Sequence, residues 1–339
     1  MNSTQEAVIF YFSGTGNSRR IASWFSDLYH EKGIDCRMFD IAETGYSVME
    51  NIDSGSIIGI ISSVHGFNFP KIMLDFIRNF PKGKNRLLLM NTRAGMKIGK
   101  IVTPGLTGIA FMVSSVILRN KGYEIIGQIP FDMPSNWISI HPALRKKSVD
   151  FICEKNRFRI RKHFERLYVG KKDFSSRKDI IQDIIISPVA LAYYFVGRYF
   201  LAKSYYASHK CIYCGFCIGQ CPVNAIKTID KRPFWTYRCE SCMKCMNRCP
   251  VDAIETTHGL WVIVIYAVSV ACTFFFYEWL PVCLQHWTIR FLLFSILLVG
   301  FIGIFYRIQQ LLLRNKTIAK IISYTSLTYY KIWGRYRCK

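Results

Sequence analysis

The sequence contains a duplicated run of cysteines, and this feature limits what the chain can fold into more than any other. Residues 211–228 read CIYCGFCIGQCPVNAIKT and residues 239–256 read CESCMKCMNRCPVDAIET, an internal repeat with an offset of 28 residues. Cys, Pro, Val, Ala, Ile and Thr recur in register, and each copy carries four cysteines. Units this short bury too little apolar surface to fold around a core of their own, so a prosthetic group must hold the two copies.

The spacing of the cysteines indicates which group this is. Each run reads Cys-x2-Cys-x2-Cys-x3-Cys-Pro, the arrangement in which the fourth cysteine of each run ligates the other of two iron–sulfur clusters. Small Gly215 suits the tight turn that such a site requires. We therefore expect two [4Fe-4S] clusters, one bound by Cys211, Cys214, Cys217 and Cys249, the other by Cys239, Cys242, Cys245 and Cys221.

Two other roles for the cysteines fit the pattern less well. Zinc sites would be expected as two Cys-x-x-Cys pairs, not as two runs of four with a trailing proline. Disulfides require an oxidising compartment, whereas residues 1–6 show no sign of a cleaved signal peptide, so we expect a reducing cytosolic environment. The other cysteines are scattered and are interpreted as ordinary thiols: Cys36, Cys153, Cys272, Cys283 and Cys338.

The first third of the chain alternates short apolar runs with amphipathic stretches. Strands are predicted at residues 7–12, 35–39, 56–64, 86–90 and 124–129, and helices at 18–32, 70–80 and 105–121. This alternation is typical of βαβ units. We predict an α/β domain whose doubly wound parallel sheet is covered by helices on both faces.

A loop rich in glycine and hydroxyl groups follows the first predicted strand. It consists of Ser13, Gly14, Thr15, Gly16, Asn17 and Ser18, and the next helix begins there. Glycines let the backbone close around an anion, hydroxyls donate hydrogen bonds, and the helix N-terminus adds positive charge, so the loop predicts a phosphate site. It is neither a Walker loop nor a dinucleotide G-x-G-x-x-G loop, because Arg19 stands where the last glycine would be.

The segment YFSGTGNSRRIA around this loop resembles the FMN-phosphate loop of flavodoxins. With the cysteine repeat, residues 5–257 resemble the ferrodoxin-type family of flavodoxin–ferredoxin fusion proteins. The resemblance implies a flavodoxin-like FMN-binding domain and a small α+β two-cluster ferredoxin domain. It also implies that two loops, residues 62–69 and 91–99, hold the flavin ring through Ser63, Val64, His65, Gly66, Phe67, Asn91, Thr92, Arg93 and Gly95.

The two ring loops depart from the flavodoxin pattern. An aromatic side chain often stacks on each face of the ring, but only Phe67 or Phe69 is available in the first loop and none in the second. Arg93 is expected either to supply positive charge near the flavin or to lie at the surface. His65 either packs within its loop or donates a proton.

Two apolar stretches follow the cysteine repeat. Residues 259–277 and 291–306 are uncharged, which predicts a hairpin of two transmembrane helices, with a buried soluble hairpin as the alternative. Residues 307–339 carry eight basic residues and no acid, so the positive-inside rule places both termini and the redox domains on the cytoplasmic side of an inner membrane. Trp261, Trp279 and Trp287 lie near the predicted membrane boundaries.

A further apolar stretch lies in a basic part of the chain. Residues 145–178 carry thirteen Lys or Arg and are interpreted as a solvated helical connector. The uncharged residues 184–197 are too short to span a bilayer, and we expect a helix packed against protein rather than an interfacial one. The chain thus divides into a flavodoxin-like domain (1–133), a connector (134–208), a ferredoxin domain (209–257), a membrane hairpin (258–306) and a basic tail (307–339).

The formal net charge of +23, from 45 basic and 22 acidic residues, calls for an anionic partner. An acidic carrier or reductase protein and the anionic inner leaflet are expected; nucleic acid is not, because no known binding module accompanies the charge. We predict a membrane-anchored electron-transfer protein that relays electrons between the clusters and FMN. The alternatives are a flavin-dependent oxidoreductase that reduces an acceptor such as quinone, and a redox-sensing regulator.

No catalytic residue is predicted. Asp40, Asp75 and Asp132 fall at strand or helix ends, but spacing alone gives neither paired carboxylates nor a Ser-His-Asp arrangement.

Overall fold

A computed structural model of the protein describes residues 6–44, 52–135, 144–278, 287–326 and 328–329, apart from the side chains of residues 258, 259, 272 and 275–278. These residues form two compact units, one up to Tyr194 and one from Phe195 onwards. Trp279, Cys283, Cys338 and most of the basic tail beyond residue 326 lie outside the described residues.

A six-stranded sheet forms the centre of the first unit. Five of its strands are parallel: β1 (Glu6–Phe12), β2 (Asp35–Asp40), β3 (Ile57–Ser63), β4 (Arg86–Ile98) and β6 (Glu124–Pro134). Their order is β2-β1-β3-β4-β6, while β5 (Ile101–Thr103) pairs antiparallel with the end of β4. This order of parallel strands is that of the flavodoxin-like doubly wound fold, so the predicted fold class is confirmed.

Helices cover both faces of the sheet. Side chains of α1 (Asn17–Glu31) and α5 (Lys146–Tyr168) pack on one face, and α3 (Lys71–Asn79) and α4 (Ala110–Asn120) lie on the other. Successive strand residues point to opposite faces. Ile9 accordingly joins the core under α1 and α5, whereas Phe10 packs on Phe76 of α3, with ring centroids 5.2 Å apart. A four-residue helix, α2 (Ile41–Thr44), follows β2.

The helix α5 lies in the stretch predicted to be a solvated connector, and that prediction was wrong for residues 146–168. Its buried side chains recur at helical spacing and include Ile160 and Phe164, which join the core of the sheet. Phe164 packs edge-on against Tyr29 of α1 at 4.9 Å between centroids. The dense basic charge of the exposed face hides this apolar stripe in the sequence.

The residues from Ser175 to Ser204 are helical. They comprise a 3-10 turn (Ser175–Asp179), α6 (Ile180–Ala192), a π-helical turn (Tyr193–Gly197) and α7 (Arg198–Ser204). The prediction of a packed helix at 184–197 was wrong, because Ile184 and Ile185 are 56% and 72% exposed. Among the described residues two helical runs are long and apolar enough to cross a membrane, Ser175–Ser204 and Trp287–Leu312.

The second unit contains two short antiparallel strand pairs, of which one is a hairpin, and three C-terminal helices. β7 (Tyr205–Ala207) pairs antiparallel with β10 (Ile254–Thr256), and β8 (Ile226–Ile229) with β9 (Arg232–Trp235). Short helices α8 (Phe216–Gly219) and α9 (Lys244–Arg248) lie between them, followed by α10 (His258–Glu278), α11 (Trp287–Leu312) and α12 (Lys316–Tyr324). The predicted apolar stretches 259–277 and 291–306 fall inside α10 and α11, and β7 precedes the boundary predicted at residue 209.

Candidate functional site

The two cysteine runs adopt the same backbone course. Three left-handed positions of the first run recur 28 residues later in the second. They are Tyr213 and Ser241 (φ 56° and 51°), Gly215 and Met243 (71° and 61°), and Asn224 and Asp252 (49° and 50°). Left-handed residues are costly outside glycine, so their repetition shows that the same tight turn is required twice.

These turns direct backbone N–H groups at cysteine sulfur atoms. Ala225 N donates to Cys221 Sγ and Ala253 N to Cys249 Sγ, both at 3.2 Å, and Ser241 N lies 3.4 Å from Cys239 Sγ. Ala225 and Ala253 are again 28 residues apart. Such bonds stabilise negative charge on sulfur, as ligand thiolates require.

The runs exchange their fourth cysteines. Cys249 of the second run lines one cavity together with Cys211, Cys214 and Cys217 of the first. In the other direction, Cys221 interacts electrostatically with Cys239 and Cys242, and Cys245 interacts with the same two thiols. Both predicted ligand sets are therefore brought together in the structure.

The thiols need a cationic partner. Burial raises the pKa of Cys217 to about 11 and that of Cys242 to about 12, and it raises the pKa of Cys245 well above its ordinary value. Ligation by a soft metal offsets this by displacing the protons. The buried Nε1–H of Trp235 lacks an acceptor of ordinary geometry among the described residues, yet it lowers the pKa of Cys245, so it faces that sulfur. The residues present therefore fit a cluster.

Within the described ranges no group of three or more His, Cys, Asp or Glu side chains is placed to hold one metal ion. A four-iron cluster needs a wider cage, because irons and sulfides lie between the thiolates. The shared cavity of Cys211, Cys214, Cys217 and Cys249 suits such a cage.

A buried cation near the second ligand set was not predicted from the sequence. Lys203 is 3% exposed, its Nζ donates to the Trp235 carbonyl, and it interacts electrostatically with Cys239. The rings of Phe234, Tyr237 and Tyr306 surround it, with centroids 4.4–4.6 Å from Nζ. Nothing in the local sequence marks this lysine, because the rings come from distant segments.

In the first unit, the predicted phosphate loop leads directly into α1. Gly16 has φ 104° and its N–H donates to Ser13 Oγ at 3.0 Å, while no side chain caps the helix. Asn17 Nδ2 donates to the Pro134 carbonyl at 2.8 Å, and its buried Oδ1 has no partner among the described residues. An open helix N-terminus behind a glycine turn fits a phosphate group.

Ser18, the last residue of the predicted phosphate loop, is buried. It is 1% exposed, and its hydroxyl lies 3.0 Å from Thr92 Oγ1 on β4. This contact joins the start of α1 to the sheet. Ser18 and Thr92 therefore position the loop.

The first ring loop, residues 62–69, is a tight turn. His65 N donates to Asn68 O at 2.8 Å, His65 Nε2 lies 3.0 Å from Ser63 Oγ, and Phe67 has φ 65°. His65 thus packs within its loop. Phe69 is 1% exposed and packs edge-on against Phe111, so it belongs to the core, and Phe67 is the half-buried aromatic of this loop.

The second ring loop, residues 91–99, is a strand, and its prediction as a loop was wrong. β4 continues to Ile98 because β6 pairs with it as far as Gly95 and Pro134, and β5 then pairs with its end. Asn91 and Thr92 are buried in this strand. A Cβ on Gly95 would lie 2.8 Å from the Asp132 carbonyl oxygen, so glycine is needed there for strand packing.

Arg93 is buried in a group of ion pairs and does not lie at the surface, which was one of its two predicted roles. Its side chain is 1% exposed; Nε donates to Asp132 Oδ1 at 2.6 Å and Nη1 donates to Asp179 Oδ2 at 2.7 Å. Asp132 Oδ1 also accepts the N–H of Gly105 at 2.8 Å. The guanidinium is therefore a buried link between β4, β6 and the turn that precedes α6.

Another aromatic, Tyr193, reaches the first ring loop from outside the predicted domain. A Cβ built on Gly66 would lie 2.0 Å from Tyr193 Cδ1, so the ring lies directly on this glycine. Both residues are in the first unit. No sequence signal joins them, because 127 positions separate residues 66 and 193.

Comparison with known proteins identifies the class of the cysteine region. Residues 206–227 and 233–255 each match the 4Fe-4S binding domain family. This region is therefore a ferredoxin-type iron–sulfur domain, and it follows a flavodoxin-like α/β unit. No curated protein matches the chain.

Solved structures similar to this chain include flavodoxins. An archaeal flavodoxin is 13% identical with a TM-score of 0.31, the match covering 47% of this chain and 99% of that one. Flavodoxin 1 from Bacillus cereus is 15% identical with a TM-score of 0.31 and coverage of 47% and 98%. A short-chain flavodoxin associated with a non-canonical PDU bacterial microcompartment is 13% identical with a TM-score of 0.30 and coverage of 46% and 97%. The fold assignment of the first unit stands on its strand order.

Proposed function

We propose that this protein is a membrane-anchored electron-transfer protein with two [4Fe-4S] clusters and FMN, of the ferrodoxin-type flavodoxin–ferredoxin fusion family. The observation that carries the proposal is the exchange of the fourth cysteines, seen in the cavity that Cys249 shares with the first run. Two clusters so held give one-electron centres, and FMN accepts one or two electrons.

The protein's contribution is to hold the clusters and set their surroundings. Thiolates of the two runs are the ligands, and backbone N–H groups such as those of Ala225 and Ala253 hydrogen bond to sulfur. Hydrogen bonds, burial and nearby charge determine cluster potentials. Lys203 provides such a charge beside Cys239.

For FMN, the phosphate would bind the open N-terminus of α1 and the loop from Ser13 to Asn17. The ring would lie at the carboxyl edge of the sheet, the usual ligand position in open α/β folds. Residues of the first ring loop are present there, and Tyr193 adds an aromatic surface. Residues 91–99, predicted as the second loop beside the ring, form a strand instead as far as Ile98.

Membrane anchoring is supported by α11, a helix of 26 residues that contains an 18-residue stretch with a mean hydropathy of 2.3 and few buried side chains. We propose that α10 and α11 form a hairpin in the inner membrane, with the redox domains and both termini on the cytoplasmic side. The positive charge of the chain would favour an anionic leaflet and an acidic redox partner protein.

The test is the amount of acid-released flavin, iron and sulfide per chain after anaerobic purification in detergent. We expect about one FMN and two four-iron clusters. Cys245→Ser should lower the iron and sulfide content, whereas Cys153→Ala, at a thiol outside the runs, should not. Zinc without sulfide would contradict the proposal.

The flavin part has its own pair of variants. Gly16→Ala introduces a side chain at φ 104° in the phosphate loop, and Gly33→Ala introduces one at φ 72° after α1 with open space around it. Both carry a similar backbone penalty. Loss of FMN only in Gly16→Ala, with unchanged iron, would support the phosphate site; equal FMN content in both would contradict it.

A further inference from the structure

The helix α6 has its polar and apolar sides reversed relative to a helix that covers a soluble core. Its two buried residues are Asp183 and Ala190. Asp183 Oδ1 accepts the N–H of Gly108 at 2.7 Å, and the preceding Asp179 binds Arg93. The polar anchors of this segment therefore face the first unit.

The opposite side of α6 is apolar and exposed. Ile181, Ile184 and Ile185 are 73%, 56% and 72% exposed, and Val189 and Leu191 are each 49% exposed. At 100° per residue these side chains, with Ile180, Pro188 and Ala192, cover an arc of about 180°. In soluble helices an apolar arc as wide as this faces the core. A continuous apolar surface that is exposed instead marks an interaction site.

Charge and length indicate what covers this face. Arg177 and Lys178 are exposed immediately before α6, within a basic segment, and basic residues beside an apolar helix face are typical of helices that lie on anionic membranes. The whole helical run Ser175–Ser204 is long enough to cross a bilayer, but its uncharged part, residues 184–197, extends only about 21 Å, short of the ~30 Å hydrocarbon layer. The helix start is also fixed to the first unit through Asp179 and Asp183.

We propose that α6 lies in the interface of an anionic bilayer, with Ile181, Ile184 and Ile185 in the acyl region. The inference extends the membrane anchoring proposed above, because it adds a lipid contact made by the flavodoxin-like unit itself. This contact would hold the carboxyl edge of the sheet near the membrane surface, since Tyr193 at the end of α6 lies on Gly66.

The experiment places a photoreactive phenylalanine analogue at single positions of the full chain, reconstituted in vesicles of phosphatidylcholine and phosphatidylglycerol. The positions are Ile185 on α6, Ile296 on α11 as the hairpin probe, and Phe158 on α5 as the control, which is 75% exposed on a basic helix. Lipid adducts are counted by mass spectrometry after irradiation. Iron and flavin contents confirm that each variant is folded.

We expect lipid capture at Ile185 and Ile296 and little at Phe158. Lipid capture at Ile296 but not at Ile185 would overturn the proposed position of α6 while supporting the membrane hairpin. Capture at Ile185 but not at Ile296 would support the position of α6 and overturn the hairpin. Capture at Phe158 equal to that at Ile185, or protein adducts in place of lipid at Ile185, would also overturn it. In phosphatidylcholine alone, capture at Ile185 should fall about fivefold, the effect of one basic side chain near an anionic surface; equal capture would contradict the anionic preference.

Discussion

The ring of Tyr193 lies directly on the Cα of Gly66, so that a Cβ at position 66 would come within 2.0 Å of Tyr193 Cδ1. Gly66 also has φ 54°, in the left-handed region. The contact therefore needs glycine for two reasons, space and backbone conformation, and it joins the end of α6 to the loop that follows β3.

Gly66→Ala should destabilise the first unit through both effects. In the wild-type background the clash adds to a backbone cost of about 1–2 kcal/mol, whereas in a Tyr193→Ala background only the backbone cost remains. A double-mutant cycle on urea unfolding should therefore show a coupling between the two positions. Additive effects would mean that the contact contributes nothing to stability.

Removal of Arg93 tests the buried ion pairs. Arg93→Met removes the cation paired with Asp179 and the nearer cation of Asp132, which keeps only Arg159 at 3.4 Å. The loss of one partner from a buried pair costs about 3–5 kcal/mol. Arg78→Met is the matched control, since Arg78 lies 3.6 Å from Asp75 with half its side chain exposed, and such surface pairs are worth about 0–1 kcal/mol. Similar changes in the free energy of unfolding for the two variants would contradict the structural role of Arg93.

Arg93 and its strand also show which parts of the fold could be predicted from the sequence. The periodicity of residues 7–129 predicts the strands and helices because each element carries its own pattern. The end of β4 could not be predicted in this way, since residues 91–98 extend only because β6 and β5 pair with them. The role of Arg93 follows from Asp132 and Asp179, which are 39 and 86 residues away.

The arrangement of the two cysteine runs could be predicted more fully than that of the two predicted ring loops. The cysteine spacing is local, and the 28-residue repeat predicts both turns at once. The aromatic contact at the first ring loop comes from Tyr193, which directly follows α6. Its position depends on α6, which is held to Gly108 through Asp183. Long-range packing of this kind leaves no local pattern.

Gly215 tests the left-handed turn of the first run. A Cβ there meets no atom within 4 Å, so Gly215→Ala should cost only the conformational penalty at φ 71°, about 1–2 kcal/mol. Gly219→Ala also adds a methyl group in open space, but at ordinary helical φ, and should be neutral or slightly stabilising. The rate of iron release to a chelator is the measurement, and equal rates in the two variants would argue against a strained turn at Gly215.

His163 should give the first unit a dependence on pH. Its Nδ1 lies 2.8 Å from Asp173 Oδ2, yet burial dominates and lowers the pKa of His163 below its ordinary 6.5. The neutral imidazole is therefore favoured in the folded state, so its stabilisation is present above pH 6.5 and is lost as the pH falls through the folded pKa. His163→Gln should flatten the fall of Tm between pH 7 and 5, whereas His30→Gln, at an exposed position, should leave it unchanged. If Tm of His163→Gln fell with pH as steeply as that of the wild type, His163 would not be the source of the pH dependence.

With the proposed ligand sets, Lys203 should raise the reduction potential of the cluster to which Cys239 belongs. Burial lowers the pKa of Lys203 to about 8, so below that pH its ammonium is charged and stabilises the reduced, more negative cluster. The aromatic cage keeps solvent from screening this charge. Lys203→Met should therefore lower that potential by tens of millivolts, where 59 mV corresponds to a tenfold change for one electron. Lys227→Met removes the same charge from an exposed position of β8 and should change the potential far less. Redox titrations followed by electron paramagnetic resonance would measure the potentials of the two proposed clusters. A shift confined to the cluster of Cys211 would contradict the prediction that Lys203 acts on the cluster of Cys239.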